Sequence, residues 1–292
     1  MSTQVNKAFV QQFADNLIHL AQQKGSKLRG TVRNDQVTGK YAHFERLGAT
    51  LASKRTSRHG DTPLTDTPHS RRRVVLEDWE VADLIDKQDE VRMLIDPKSA
   101  YAQAMGNSLG RALDDIIIDA ADGNAAAIDA ADASSNVAIV HTIDEDFTTG
   151  NSDIIMEKVV EAKRILMSNE VPNDEELTFA LDSTALHNLL KETEVSSADY
   201  NSVKALVRGE PGTFMGFNFI QTERLNDSSE GFKNCLAYAK SGIGLAMGKD
   251  IQVRMSERDD KSYATQVYAC LTAGAVRIEE EKVIVVEAYR TS

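Results

Sequence analysis

Cysteine is nearly absent: the 292 residues hold two, Cys235 and Cys270. Each sits in an apolar run, Cys235-Leu236-Ala237-Tyr238 and Tyr268-Ala269-Cys270-Leu271, so buried reduced thiols are expected and a disulfide-stapled fold is not. Long hydrophobic runs are missing as well. No window approaches the ~18 apolar residues a membrane-spanning helix requires, which excludes a helical membrane protein. The opening Met1-Ser2-Thr3-Gln4-Val5-Asn6-Lys7 leads into Gln11, Gln12 and Asp15 without a compact apolar stretch or small-residue cleavage site, so export by a signal peptide is not expected.

Catalytic signatures are lacking too. There is no G-x-S-x-G, H-E-x-x-H, Walker lysine loop or C-x-x-C, and the six histidines are scattered singly. Gly242, Gly244 and Gly248 have the wrong spacing for a dinucleotide loop and sit among strand-like sequence, so they read as hairpin glycines. His59, Asp61 and His69 share a Thr/Pro-rich stretch without the rigid support that holds metal ligands in place. Adjacent carboxylates such as Asp114-Asp115 and Asp259-Asp260 point apart on a helix or turn. No catalytic residue, cofactor or metal is expected, and the chain is read as a non-enzyme.

What the chain does have is charge, unevenly placed. There are 33 Lys and Arg against 45 Asp and Glu, a net −12, and 41% hydrophobic residues suffice for one large or two modest domains. Between Lys24 and Arg73, twelve basic residues face four acidic ones, giving +8 and leaving −20 for the remainder. Lys54, Arg55, Arg58, Arg71, Arg72 and Arg73 lie there without the interleaved aromatics of a single-strand platform. A basic arm meeting carboxylates on another copy of the acidic body is the favoured reading, and phosphate contact the competing one.

Val5, Phe9, Phe13, Leu17 and Leu20 line one side of an N-terminal helix with no nearby partner element, so docking on a distant or neighbouring surface is expected. Lys40–Leu47 and Arg72–Trp79 read as strands flanking Gly48–Ser70, which offers only Leu51 and Leu64 as large aliphatics and so reads as a projecting hairpin. Asp96-Pro97 starts a helix running to Gly123, about 39 Å long. Its last turns carry Asp114, Asp115, Asp119 and Asp122 at the negative end of the helix dipole, so cations from elsewhere should compensate them. Asn124–Ser135 reads as irregular and Val137–Thr142 as a strand. Helices are expected over Asp153–Ser168, from a Ser183 cap to Glu192 and near Asp199–Arg208, with a strand at Leu177–Leu181. Beyond Gly212 the reading is almost all strand: a mixed α+β chain without internal repeats.

This order of elements resembles the major capsid protein of tailed bacteriophages, the Hong Kong 97 type fold. The resemblance rests on Lys54-Arg55-Thr56-Ser57-Arg58-His59-Gly60-Asp61-Thr62-Pro63, Asp66-Thr67-Pro68-His69-Ser70-Arg71-Arg72-Arg73, Asp83-Leu84-Ile85-Asp86 and Arg92-Met93-Leu94-Ile95-Asp96-Pro97. It extends through Gly110-Arg111-Ala112-Leu113-Asp114-Asp115 and Gly274-Ala275-Val276-Arg277-Ile278 to Val283-Ile284-Val285-Val286. It implies an N-terminal arm (1–29), an extended E-loop hairpin (30–78), a P-domain in two parts (79–152, with a spine helix over 97–122, and 250–292) and an A-domain (153–249).

The resemblance also implies function. Many copies would form hexamers and pentamers of an icosahedral shell around double-stranded DNA, in the virion and, during assembly, in the host cytoplasm. Portal, scaffolding and decoration proteins are the implied partners; with only about thirty residues before the hairpin, a separate scaffold or none is expected. Lys54, Arg55, Arg58, Arg71, Arg72 and Arg73 would contact neighbouring subunits, Asp114, Asp115, Asp119 and Asp122 would accept such contacts, and Phe9, Phe13 and Leu17 would dock the N-terminal arm. An encapsulin-type protein compartment and a nucleic-acid-binding protein using the basic arm are the alternatives.

Overall fold

The computed structural model describes residues 22–58, 61–62, 64–86, 98–128, 134–144, 146–147, 154–172, 174–191, 213–228 and 231–289. The expected N-terminal helix with Phe9, Phe13 and Leu17, the Asp96-Pro97 helix start and the helix near Asp199–Arg208 lie outside these residues.

In chain order the strands begin with β1 (Arg33–Gln36), β2 (Tyr41–Leu47), β3 (His69–Val75), β4 (Glu77–Ile85), β5 (Ala125–Ile128), β6 (Ser134–Val137) and β7 (His141–Ile143). Then come β8 (Leu177–Leu181), β9 (Thr213–Phe214), β10 (Phe217–Gln221), β11 (Phe232–Ala239), β12 (Ile243–Arg258), β13 (Ala264–Arg277) and β14 (Val283–Tyr289). The helices are α1 (Lys98–Asp122), α2 (Met156–Ser168) and α3 (Ser183–Lys191).

Two expectations differ from what forms. The strand expected over Arg72–Trp79 is two strands, β3 and β4, parted at Leu76, whose N–H bonds Lys40 O at 3.2 Å. The stretch expected to be irregular, Asn124–Ser135, supplies β5 and part of β6, because β3 offers β5 a ladder pairing Arg71 with Ile128 and Arg72 with Ala127. Alanine has little strand preference of its own, so that pairing is a tertiary effect.

Contacts among the described residues separate two units. One comprises Met1–Ser26, Asp78–Arg111 and Lys249–Leu271; the other Lys27–Glu77, Ala112–Gly248 and Thr272–Ser292.

The larger unit holds a six-stranded sheet of order β7-β14-β11-β8-β10-β9 and a four-stranded sheet of order β2-β3-β5-β6. The six-stranded sheet combines strands from the segments 79–152, 153–249 and 250–292. Phe179 anchors its core, stacked on Phe219 at 5.3 Å and edge-on to Phe217 at 5.7 Å. Helix α3 is capped by Asp182, one residue before the expected Ser183, with Oδ1 accepting the Ala185 N–H at 2.8 Å. A second cluster, Ala42, Phe44, Val74, Ala125, Ala246, Val276 and Ile278, seats the hairpin. Gly274 makes this approach possible: a Cβ there would stand 2.2 Å from Val75 O.

In the smaller unit the ends of β12 and β13 are joined by a 3₁₀ turn, Asp259–Lys261, followed by Ser262 and Tyr263, both left-handed at φ 53° and 58°. Arg258 grips Asp260 with two hydrogen bonds of 2.7 Å, and its hydrogen bond holds the Asp260 carboxyl below the usual aspartate range. Strand β4 is an edge strand, with β13 as its neighbour. Residues 77–86 carry Glu77, Asp78, Glu80, Asp83 and Asp86 and no basic side chain.

Candidate functional site

The hairpin is built from the pleat of β2 and β3, which pair antiparallel from Tyr41 with Val75 to Leu47 with His69. Alternate residues face alternate sides. Ala42, Phe44 and Val74 therefore face the core, and Arg72, directly opposite Phe44, faces it with them.

The basic triplet is thereby divided. The Arg72 Nη2 donates to Glu280 Oε1 at 2.7 Å, both side chains being 6% exposed, while Arg46 donates to the other oxygen of Glu280 at 3.2 Å. Arg71 stands outward against Glu45 at 3.4 Å, and the Arg73 guanidinium lies 5.3 Å from the Tyr41 ring centroid. A run of three arginines in a strand cannot present all three to one partner, and Arg72 is buried inside its own chain.

Nearby, Arg277 is fully buried. Its guanidinium donates to Ala121 O at 2.9 Å, Gly123 O at 2.7 Å and Val137 O at 2.9 Å, supplying donors where the last carbonyls of α1 have none within the helix. Burial lowers its pKa, with the Arg72 charge adding to the effect and Glu280 opposing it.

Beyond this root the ladder closes where the Gly48 N–H donates to Pro68 O at 2.8 Å. The described residues between Gly48 and Pro68 form no helix or strand, and about nine residues each way can reach at most ~30 Å. Lys54, Arg55 and Arg58 are exposed here, with Arg55 bonded to the carbonyls of Ser57 and Arg58. Leu51 and Leu64 are 87% and 97% exposed.

The four α1 carboxylates expected to face a neighbour are bonded within the chain. Asp114 is fully buried and accepts the N–H groups of Lys27 and Leu28 at 3.0 and 3.1 Å. Asp115 is held by both arms of Arg224, whose pKa is raised by that hydrogen bonding. Asp119 accepts from Asn226 at 3.0 Å and Asp122 from Asn234 at 2.8 Å. The compensation expected at the negative helix end thus comes from backbone amides, one arginine and two asparagines.

Sequence reading missed Arg46, Glu280 and Arg277. Arg277 did carry a signal, a charge between Val276 and Ile278 in an apolar strand run. Glu280 carried none, since Glu279-Glu280-Glu281 reads as a solvated turn.

No helix among the described residues is long and apolar enough to cross a membrane, and no group of three or more His, Cys, Asp or Glu there is placed to hold a metal ion. Cys235 is buried and Cys270 half-buried, and neither forms a disulfide.

A sequence model of phage capsid proteins matches residues 5–289. The chain belongs to the phage capsid protein family. Solved structures agree with that placement in fold. The capsid of the cyanophage P-SCSP1u superposes on this phage capsid protein with a TM-score of 0.71 at 18% identity, over 100% of this chain and 96% of that one. The capsid of Ralstonia phage GP4 gives 0.73 at 10% identity over 97% and 96%. That of Helicobacter pylori bacteriophage KHP30 gives 0.71 at 11% over 99% and 98%. The α+β architecture is therefore of the Hong Kong 97 type, as the resemblance implied. No curated protein matches the sequence.

Proposed function

We propose that this phage capsid protein is the major capsid protein, assembling as hexamers and pentamers into an icosahedral shell around double-stranded DNA, without catalysis of its own. The observation that carries the reading is the hairpin arm. A long segment bearing Leu51, Leu64, Lys54, Arg55 and Arg58 stands in solvent, yet grows from a root fixed by a buried ion pair and an apolar cluster. Projecting such side chains from a rigid base serves a partner and offers the isolated chain nothing. The family match and the capsid likenesses support the same reading and favour neither the encapsulin-type compartment nor the DNA-binding monomer.

In this reading Lys54, Arg55, Arg58 and Arg71 contact the adjacent subunit, and Phe9, Phe13 and Leu17 dock the N-terminal arm on a neighbouring surface. Arg72 supports the arm from below. DNA, portal, scaffolding and decoration proteins are further partners, and the host cytoplasm is where assembly takes place. Negative-stain microscopy of the protein expressed alone tests the proposal: closed shells, tubes or capsomers are expected, and a lone monomer at all concentrations overturns it. Reversing Lys54 and Arg55 to glutamate should abolish assembly while leaving monomer unfolding unchanged; normal shells from that variant would refute the arm's role.

A further inference from the structure

Asn169 caps the C-terminus of α2, and its side chain joins three elements of the larger unit. Its Nδ2 stands 2.9 Å from His141 Nε2 on β7 and 2.9 Å from Glu281 O, in the 3₁₀ turn Glu280–Lys282 that leads into β14. Strand β7 is an edge strand with β14 as its one strand neighbour, and His141 is paired there with Ile284. The same turn carries Glu280, on which Arg72 and Arg46 converge.

Donors and acceptors leave this junction one protonation state. An amide nitrogen donates two hydrogens and accepts none, whereas a carbonyl oxygen only accepts. Glu281 O therefore fixes which way the Asn169 amide faces, since turning it over would set Oδ1 against that oxygen. The other hydrogen of Nδ2 goes to His141 Nε2, which must offer a lone pair. His141 is thus neutral in this arrangement, with its proton on Nδ1. A second proton would set Nε2–H against Nδ2–H, and no rotation of the amide serves both neighbours.

Carboxylates stand on the elements around the ring, so an imidazolium has counter-charges at hand once the amide lets go. Glu170 follows the end of α2, Glu279 and Glu281 lie at the turn, and Asp144 follows His141 on its own segment. Helix α2 adds the negative end of its dipole. The cations nearby are engaged: Lys282 with Glu279 at 3.2 Å, Arg46 with Glu280 and Glu281, and Arg164 with Glu161. Strand β14 sets only Ile284, Val285 and Val286 opposite β7.

We propose that His141 and Asn169 form a proton-operated latch: neutral His141 ties α2, β7 and the Glu280–Lys282 turn together, and protonation of the ring frees the turn. The latch goes beyond the shell reading and does not depend on it. Because Glu280 holds Arg72 and Arg46, acid acts on the root of the hairpin arm from a site outside that ion pair.

Amide exchange read by mass spectrometry tests this on the wild-type chain, free or assembled. It is measured at about pH 8 and about pH 5, either side of the histidine range, with rates corrected for the intrinsic effect of pH. The reporter is the Val283 N–H, which donates to Glu280 O within the turn. Its exchange should rise about fivefold at the lower pH, the equivalent of one hydrogen bond. His141→Gln, whose side-chain oxygen accepts from Asn169 at either pH, should remove the rise, and Asn169→Ala should give the faster rate at both. An equal rise in His141→Gln would assign the effect to another group and overturn the latch, as would an unchanged rate in the wild type. NMR of the imidazole nitrogens at the higher pH should find Nε2 without a hydrogen; a hydrogen there also overturns the proposal.

Discussion

Arg72 and Glu280, 208 residues apart in sequence, form an ion pair of 2.7 Å in which each side chain is 6% exposed. The pair ties the third strand of the chain to the connection between the last two, and the hairpin arm projects from it. Breaking a buried pair strands a charge, at a cost of about 3–5 kcal/mol. Glu280→Ala should therefore lower monomer stability by that order in denaturant unfolding. Arg46→Ala, whose side chain is 22% exposed, should cost about 1 kcal/mol or less. The double change Arg72→Met with Glu280→Leu should recover most of the loss, because it removes both charges together.

Arg277 makes a different demand. Three carbonyls converge on its guanidinium from the end of α1 and from β6. Lysine keeps the charge but lacks the planar fork, so Arg277→Lys should cost about 2–3 kcal/mol in the same measurement. An unchanged midpoint would show that the carbonyls are satisfied without the fork.

Neighbouring aspartates should behave unequally. Asp114 is fully buried and receives two backbone amides, so Asp114→Ala leaves both donors without an acceptor and should cost about 2–4 kcal/mol. Asp115, one-third exposed on Arg224, should cost about 1 kcal/mol or less when replaced by alanine. Equal losses in thermal unfolding would contradict this division.

The turn between β12 and β13 should be insensitive to acid until low pH. Hydrogen bonding from Arg258 lowers the Asp260 pKa, so the contribution of this pair is fully present above the ordinary aspartate value and is lost as pH falls through the depressed one. An NMR titration of the Asp260 carboxyl should show the low midpoint, and Arg258→Ala should return it toward the ordinary value. A midpoint unmoved by that substitution would assign the shift to another group.

Much of the fold was legible because hydrophobic period and turn chemistry act locally. The helical spacing from Tyr101 to Ala120 gives α1, and the short apolar run Leu177–Leu181 gives β8. Ala125–Ile128 was not legible, since its strand exists by pairing with β3. For the arm, the paucity of anything to bury between Gly48 and Ser70 marked a projecting segment. The separate fates of Arg71, Arg72 and Arg73 became readable only with the register of β2 on β3.

By itself the sequence determined the class of the molecule: an α+β chain in which a segment of +8, Lys24–Arg73, contains a basic, solvent-directed hairpin and the remainder carries −20. Those properties follow from composition and periodicity, which need no knowledge of distant neighbours. Only the tertiary structure decided which charges are structural and which are presented. Arg72, Arg277 and Asp114 are enclosed among partners far along the chain, while Lys54, Arg55 and Arg58 stand in solvent. The physical reason is desolvation: a charge is buried only where donors and acceptors converge on it, and that convergence is made by the fold.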